Sequence, residues 1–131
     1  MICVGLDLAH WDNVKEAIEH SLAGNGGRNT AADMLEAIKT NKVQLWAIHD
    51  GAIHAVMTTE IIQYQQFSAV RIITVTGSDS EQWLDLLIET IGAWGKENGA
   101  SAIEFVGRIG WEKVLTKRGF GGKQIFMTKQ I

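Results

Sequence analysis

Apolar positions along the chain alternate between helical and strand spacing, and the switches mark out its elements. After a short apolar start, which predicts a first strand, Trp11, Val14, Ile18 and Leu22 recur at helical spacing in WDNVKEAIEHSL. The glycine-rich AGNGGRN, residues 23–29, then has to be a loop. In TAADMLEAIKTN a second short helix is expected, capped by Thr30 and turning Met34, Leu35 and Ile38 to one side.

The period changes in KVQLWAIHDGAIHAVMTTEIIQY. Asp50-Gly51 between two apolar runs predicts a hairpin with a type I′ turn, whose positive φ angles Gly, Asn and Asp tolerate. It joins strands at about residues 43–49 and 52–64, and the β-branched AVRIITVTG completes a three-strand antiparallel meander. That strand ends in VTGSDSEQW, residues 75–83, where Ser78 and Glu81 have capping-box spacing and predict a helix start. Trp83, Leu87, Ile91 and Trp94 form the apolar stripe of this long helix, and Asn98-Gly99 stops it. ASAIEFVG reads as a buried strand, so strand, helix and strand imply a right-handed crossover with the two strands parallel. IGWEKVLTKRG predicts a last helix closed by Gly119, and KQIFMTKQI a final strand. The order gives an α/β fold: a mixed sheet with an antiparallel three-strand meander, a βαβ crossover and flanking helices, in a single domain over residues 1–131.

Composition narrows the class. At 46% hydrophobic and 21% charged, the chain is an ordinary globule, long enough to bury a core without disulfides or metal. No run approaches the roughly 18 apolar residues of a membrane span, and the start lacks signal-peptide character, so a cytoplasmic protein, or one in a particle assembled there, is expected. The single cysteine, Cys3, has no partner for a disulfide or zinc site and reads as a core residue. The net charge of −3 conceals a division. Residues 107–131 carry Arg108, Lys113, Lys117, Arg118, Lys123 and Lys129 against Glu112 alone, on an otherwise acidic body. Such a basic end suggests a phosphorylated cofactor, nucleic acid or an acidic partner surface, with a solvated face as the plain alternative.

Three segments together resemble a known family: the meander with DG at its first turn, RIITVTGSDSEQWLDLLIETIGAWGKENGA, and GRIGWEKVLTKRGF with its closing Gly119-Phe120. Over about residues 43–120 the chain resembles the GNAT superfamily, the Gcn5-related N-acetyltransferases, and is similar to small GNAT-like proteins of tailed phages. The resemblance implies that the meander's last strand splays from the strand after the long helix and admits the pantetheine arm of acetyl-CoA. Main-chain groups of Thr74, Val75 and Thr76 would pair with that arm. Gly77, Ser78, Asp79 and Ser80, with N–H groups up to Glu81, would face the pyrophosphate at a helix N-terminus, with Arg108 or Lys117 near its phosphates. An amine substrate would approach from the other side, near Glu60, His54 or Glu104. As bases, Glu60 and His54 are the candidates, since they share a strand face and histidine titrates near neutral pH.

Two departures from the family pattern stand out. Its phosphate loop usually reads Gln or Arg, two residues, Gly, one residue, then Gly or Ala; TGSDSE has one glycine, no basic residue, and the carboxylates Asp79 and Glu81, which favour a helix N-terminus but repel a pyrophosphate. Many members place a tyrosine acid four residues before the closing glycine, where this chain has Leu115. Two function classes follow. One is an acetyl-CoA-dependent N-acetyltransferase acting on a small-molecule or protein amine. The other is a catalytically degenerate GNAT-fold structural or binding protein, in a phage virion or against a host protein. Metal chemistry is not expected, because His10, His20, His49 and His54 lack paired ligand spacing, and no Walker-type or dinucleotide glycine pattern occurs. Trp111, beside Arg108 and Lys113, is placed either to stack on a base or adenine ring or to pack its helix onto the sheet.

Overall fold

The architecture is a five-stranded mixed sheet with helices on both faces, described by a computed structural model over residues 1–24 and 26–131. Within the expected glycine-rich loop, Asn25 lies outside the described residues. The elements run β1 (Ile2–Gly5), α1 (Trp11–Leu22), α2 (Ala31–Lys39), β2 (Gln44–His49), β3 (Ile53–Gln63), β4 (Ser68–Gly77), α3 (Leu84–Glu97), β5 (Ala102–Phe105) and α4 (Gly110–Thr116). Strand order follows chain order, β1-β2-β3-β4-β5. The first three pairings are antiparallel and β4–β5 is parallel, as the crossover through α3 requires.

Helical periodicity accounts for the two layers. Trp11, Val14, Ile18 and Leu22 of α1 and Met34 and Ile38 of α2 bury against Leu45 and Val56 on one face of the sheet. Leu84, Leu87 and Ile91 of α3 bury with Trp46, Ile48, Met57 and Ile72 on the other. Each Leu or Ile so buried contributes about 1.5–3 kcal/mol. Thr30 caps α2 through a full box: its Oγ1 accepts from Asp33 N at 3.2 Å, and its own N–H donates to Asp33 Oδ2 at 2.9 Å.

Three expectations need correction, and one open alternative is decided. The β2–β3 connection is not a type I′ turn but the three-residue loop Asp50–Ala52, with positive φ only at Gly51 and a register irregularity at Ile48/His49. Ser78 and Glu81 form no capping box. Asp79 takes the left-handed conformation (φ 55°, ψ 49°), a short 3-10 turn follows at Ser80–Gln82, and α3 begins only at Leu84. Its entry is fixed by Trp83, whose indole Nε1 donates to Ser78 O at 2.7 Å. The final strand is absent, and residues 120–131 have no regular structure. Side-chain contacts hold this tail instead: Arg28 lies 4.9 Å from the Phe126 ring centroid and donates to Thr128 Oγ1 at 2.9 Å, while Lys123 pairs with Glu112 at 2.8 Å. Of the two alternatives for Trp111, the structure shows packing: its ring lies 6.4 Å from that of Trp83 and 5.9 Å from that of Phe105.

Among the described residues, no helix is long and apolar enough to cross a membrane.

Candidate functional site

The site is built where β4 parts from β5. Their pairing runs from Ala69↔Ala102 to Ile72↔Phe105 and stops there, while β4 continues to Gly77. A bulge sits at the parting. Thr58 pairs with Thr74 but Thr59 pairs with Ile72, so Ile73 has no counterpart on β3 and β4 bends at that point. Beyond Phe105, no backbone hydrogen bond reaches β4 from the following chain among the described residues. The β5-side edge of β4 from Ile73 to Gly77 therefore has no backbone partner among the described residues.

Side chains along this edge serve the fold. Thr74 and Thr58 are buried and share a hydrogen bond between their hydroxyls at 2.6 Å. Val75 packs with the α3-side core, and Thr76 Oγ1 donates to Ala17 O in α1 at 3.0 Å. Gly77 is required by packing: a Cβ there would lie 2.6 Å from His54 O and 2.7 Å from Ala55 Cβ.

The turn that follows leaves its donors unpaired. The N–H groups of Ser78, Asp79, Ser80 and Glu81 have no acceptor in the chain among the described residues; the first N–H groups to be paired are Gln82, to Asp79 O, and Trp83, to Ser80 O. A left-handed residue followed by a right-handed turn makes consecutive N–H groups converge into an anion-binding concavity. Its acidity is partly cancelled from just beyond α4. Arg118, with a side chain only 12% exposed, donates to Glu81 Oε2 at 3.0 Å and to Asp85 Oδ1 at 2.8 Å, and its third bond to Val114 O fixes the fork. The bond to Glu81, then that to Asp85, raises the guanidinium pKa. Asp79 has no such partner.

A row of charges crosses the sheet at the apex of the gap. Glu60 on β3, Arg71 on β4 and Glu104 on β5 are register partners and so share one face, that of α1 and α2. Arg71 Nε donates to Glu104 Oε1 at 2.8 Å, Tyr64 OH donates to the same oxygen at 2.6 Å, and Arg71 Nη2 donates to Tyr64 OH at 3.1 Å. The bond to Glu104 pushes the Tyr64 phenol up. For Arg71, burial works downward, but the bonds to Glu104 and Tyr64 outweigh it and the pKa is raised. Glu60 makes no hydrogen bond or ion pair among the described residues. His54 is elsewhere. It shares the face of Glu60 but stands six residues away along β3, roughly 20 Å, and its Nε2 is hydrogen-bonded to Asp50 Oδ1 at 2.6 Å. The bond to His54 lowers the Asp50 pKa.

The structure thus joins Thr74 to Ser80 into one continuous edge and turn, places Glu60 one strand from the end of the β4–β5 pairing, and separates His54 from it. Arg108 is turned to the end of α1, where Nη2 donates to His20 O at 3.4 Å, and Arg118 is the cation bonded to the turn's carboxylate. Arg118 was not singled out as a site residue from sequence; the available signal was a pair of acids four apart, Glu81 and Asp85, needing a common cation. Leu115, at the position of the family's tyrosine, is core. Among the described residues no group of three His, Cys, Asp or Glu side chains converges on a metal-sized space.

No family model and no curated protein matches the chain. Solved structures do. A GCN5-related N-acetyltransferase from Ralstonia eutropha JMP134 superposes with TM-score 0.76 at 15% identity, covering 98% of this chain and 97% of that one. The fold is that of the GNAT acetyltransferases. A predicted acetyltransferase from Clostridium acetobutylicum, solved with acetyl-CoA, gives TM-score 0.76 at 12% identity over 98% of this chain and 94% of that one. The glucosamine-6-phosphate N-acetyltransferase of Arabidopsis thaliana gives 0.72 at 17% identity over 98% and 95%. At these identities the likeness is one of GNAT architecture, so function has to be argued from the chain's own residues.

Proposed function

We propose that this chain is an acetyl-CoA-dependent N-acetyltransferase acting on an amine, with Glu60 as base. The observation that carries the proposal is the unbroken run from Ile73 to Glu81: an unpaired strand edge leading into four unpaired N–H groups, with Glu81 already held by Arg118. The residues fit the cofactor. Main-chain groups of Thr74 to Thr76 suit the amides of a pantetheine arm, and the turn at Ser78–Glu81 suits a pyrophosphate. When bound, acetyl-CoA supplies an activated thioester and a thiolate that leaves without a dedicated acid, so Leu115 is compatible with turnover.

Glu60 stands one strand from the gap, its register partner Arg71 lying next to the last β4–β5 pair. With neighbouring strands about 4.8 Å apart, its carboxylate is within roughly 10 Å of the gap's apex. From there it removes the proton of the incoming ammonium through a water. Arg71 is tied to Glu104 and Tyr64, so Glu60 stays free for that role.

Calorimetric titration with acetyl-CoA, followed by thiol release on adding amines, tests the reading. Micromolar binding is expected, and Glu60→Gln should lower kcat/KM by roughly 100-fold or more while leaving cofactor affinity unchanged. No heat at millimolar acetyl-CoA sinks the proposal. The second reading, a binding protein on this fold, whether in a virion or against a host protein, draws on the buried Leu115. It calls for cofactor binding without thiol release, or for neither.

A further inference from the structure

Charges left unmatched at the open end of the sheet point to a substrate class. β3 outruns β2: their pairing begins at Gln44↔Thr59, and Glu60 and Ile61 stand beyond it on the wall of a groove of about 950 Å³. Lys39, at the end of α2, and Lys42, in the turn into β2, line the same groove. Asn41 between them has φ 60°, and this left-handed residue turns the chain from helix to strand so that both lysines flank the opening.

None of these three charged groups is used by the fold. Among the described residues, neither lysine makes an ion pair or side-chain hydrogen bond, and neither does Glu60. The other carboxylate lining the groove, Asp7, is occupied by Ala9 N at 3.0 Å and His10 Nδ1 at 3.2 Å. The residues lining one cavity therefore include a carboxylate and two lysines that do not neutralise one another. Their complement is a molecule bearing both a cation and an anion.

We infer that the groove receives the acetyl acceptor and that the acceptor is a small zwitterionic amine, its ammonium toward Glu60 and its carboxylate or phosphate toward Lys39 and Lys42. This rests on the assignment of Glu60 as base. A single exposed lysine adds little to binding, but two facing one anion, with a carboxylate at the far end, fix both position and orientation. A neutral amine would leave both lysines to water, and a large cationic one would meet them as repulsion.

Calorimetry on the whole chain tests it with two sets of probes: β-alanine against ethylamine and propionate, and phosphoethanolamine against ethanolamine and inorganic phosphate. At least one zwitterion should bind about ten-fold tighter than either of its halves, and the set that does so tells carboxylate from phosphate. The double variant K39Q/K42Q should abolish that preference without changing Tm or acetyl-CoA affinity. The inference is overturned if neither zwitterion binds at roughly 10 mM, if the halves bind as well as the whole, or if the preference survives K39Q/K42Q. Acetyl-CoA titrated in parallel separates the two claims. Cofactor binding with no zwitterion preference removes the acceptor class alone, whereas zwitterion preference with no cofactor binding keeps the groove and removes the transferase reading.

Discussion

Asp79 is the one carboxylate of the turn after β4 that no cation answers among the described residues, so its removal has a defined consequence. Glu81 is already bonded to Arg118, while Asp79 occupies a left-handed position with no side-chain partner among the described residues. Asp79→Asn removes the charge and keeps a residue that tolerates positive φ, so the backbone should hold its shape. A unit charge about 6 Å from a bound phosphate interacts by about 0.7 kcal/mol in water and about 2.8 kcal/mol at an effective dielectric of 20. Physiological salt, with a Debye length of about 8 Å, roughly halves both. The variant should therefore bind acetyl-CoA roughly two- to ten-fold more tightly at physiological salt. The assay is titration of tryptophan fluorescence, since Trp83 anchors the turn through Ser78 O. It is run at low and high ionic strength, and the gain should shrink with added salt. An unchanged or weaker affinity, or a gain that ignores salt, refutes the idea that this turn holds an anion.

Other consequences concern the scaffold. Gly77→Ala drives a methyl to within 2.6 Å of His54 O, so thermal unfolding should show a loss of about 1–3 kcal/mol; wild-type stability would mean that β3 and β4 do not pack so closely there. Thr58→Val or Thr74→Val alone leaves a buried hydroxyl unpaired and should cost about 1–3 kcal/mol, while the double variant should be close to neutral. Additive losses in chemical denaturation would contradict the shared hydrogen bond. Burial raises the Cys3 pKa above its ordinary value, so iodoacetamide near pH 8 should modify the native chain far more slowly than the urea-unfolded one; equal rates would place Cys3 at the surface.

The layers of the fold were legible in the sequence because they follow from local period. The α1 stripe from Trp11 to Leu22 is the set that buries, and the β-branched run of β4 forms the third strand of the meander. What escaped depends on contacts between distant segments. The start of α3 was set not by Ser78 and Glu81 but by the Trp83 indole and by Arg118, which lies 37 residues beyond Glu81. The bulge at Ile73, which opens the gap, appears only when β3 and β4 are set in register. Parity alone made His54 and Glu60 equivalent, and only their places along β3 separated them. The tail failed as a strand despite its pattern, because its contacts run through Arg28 and Glu112 side chains rather than a sheet edge.

The unpaired N–H groups after β4 are proposed to hold a pyrophosphate. Amide chemical-shift mapping with coenzyme A on isotope-labelled protein addresses this directly. The largest saturable shifts are expected at the amides of Ser78, Asp79, Ser80 and Glu81, with smaller ones along Thr74 to Thr76. Shifts confined to the basic tail, or no saturable change at millimolar coenzyme A, would contradict the proposal.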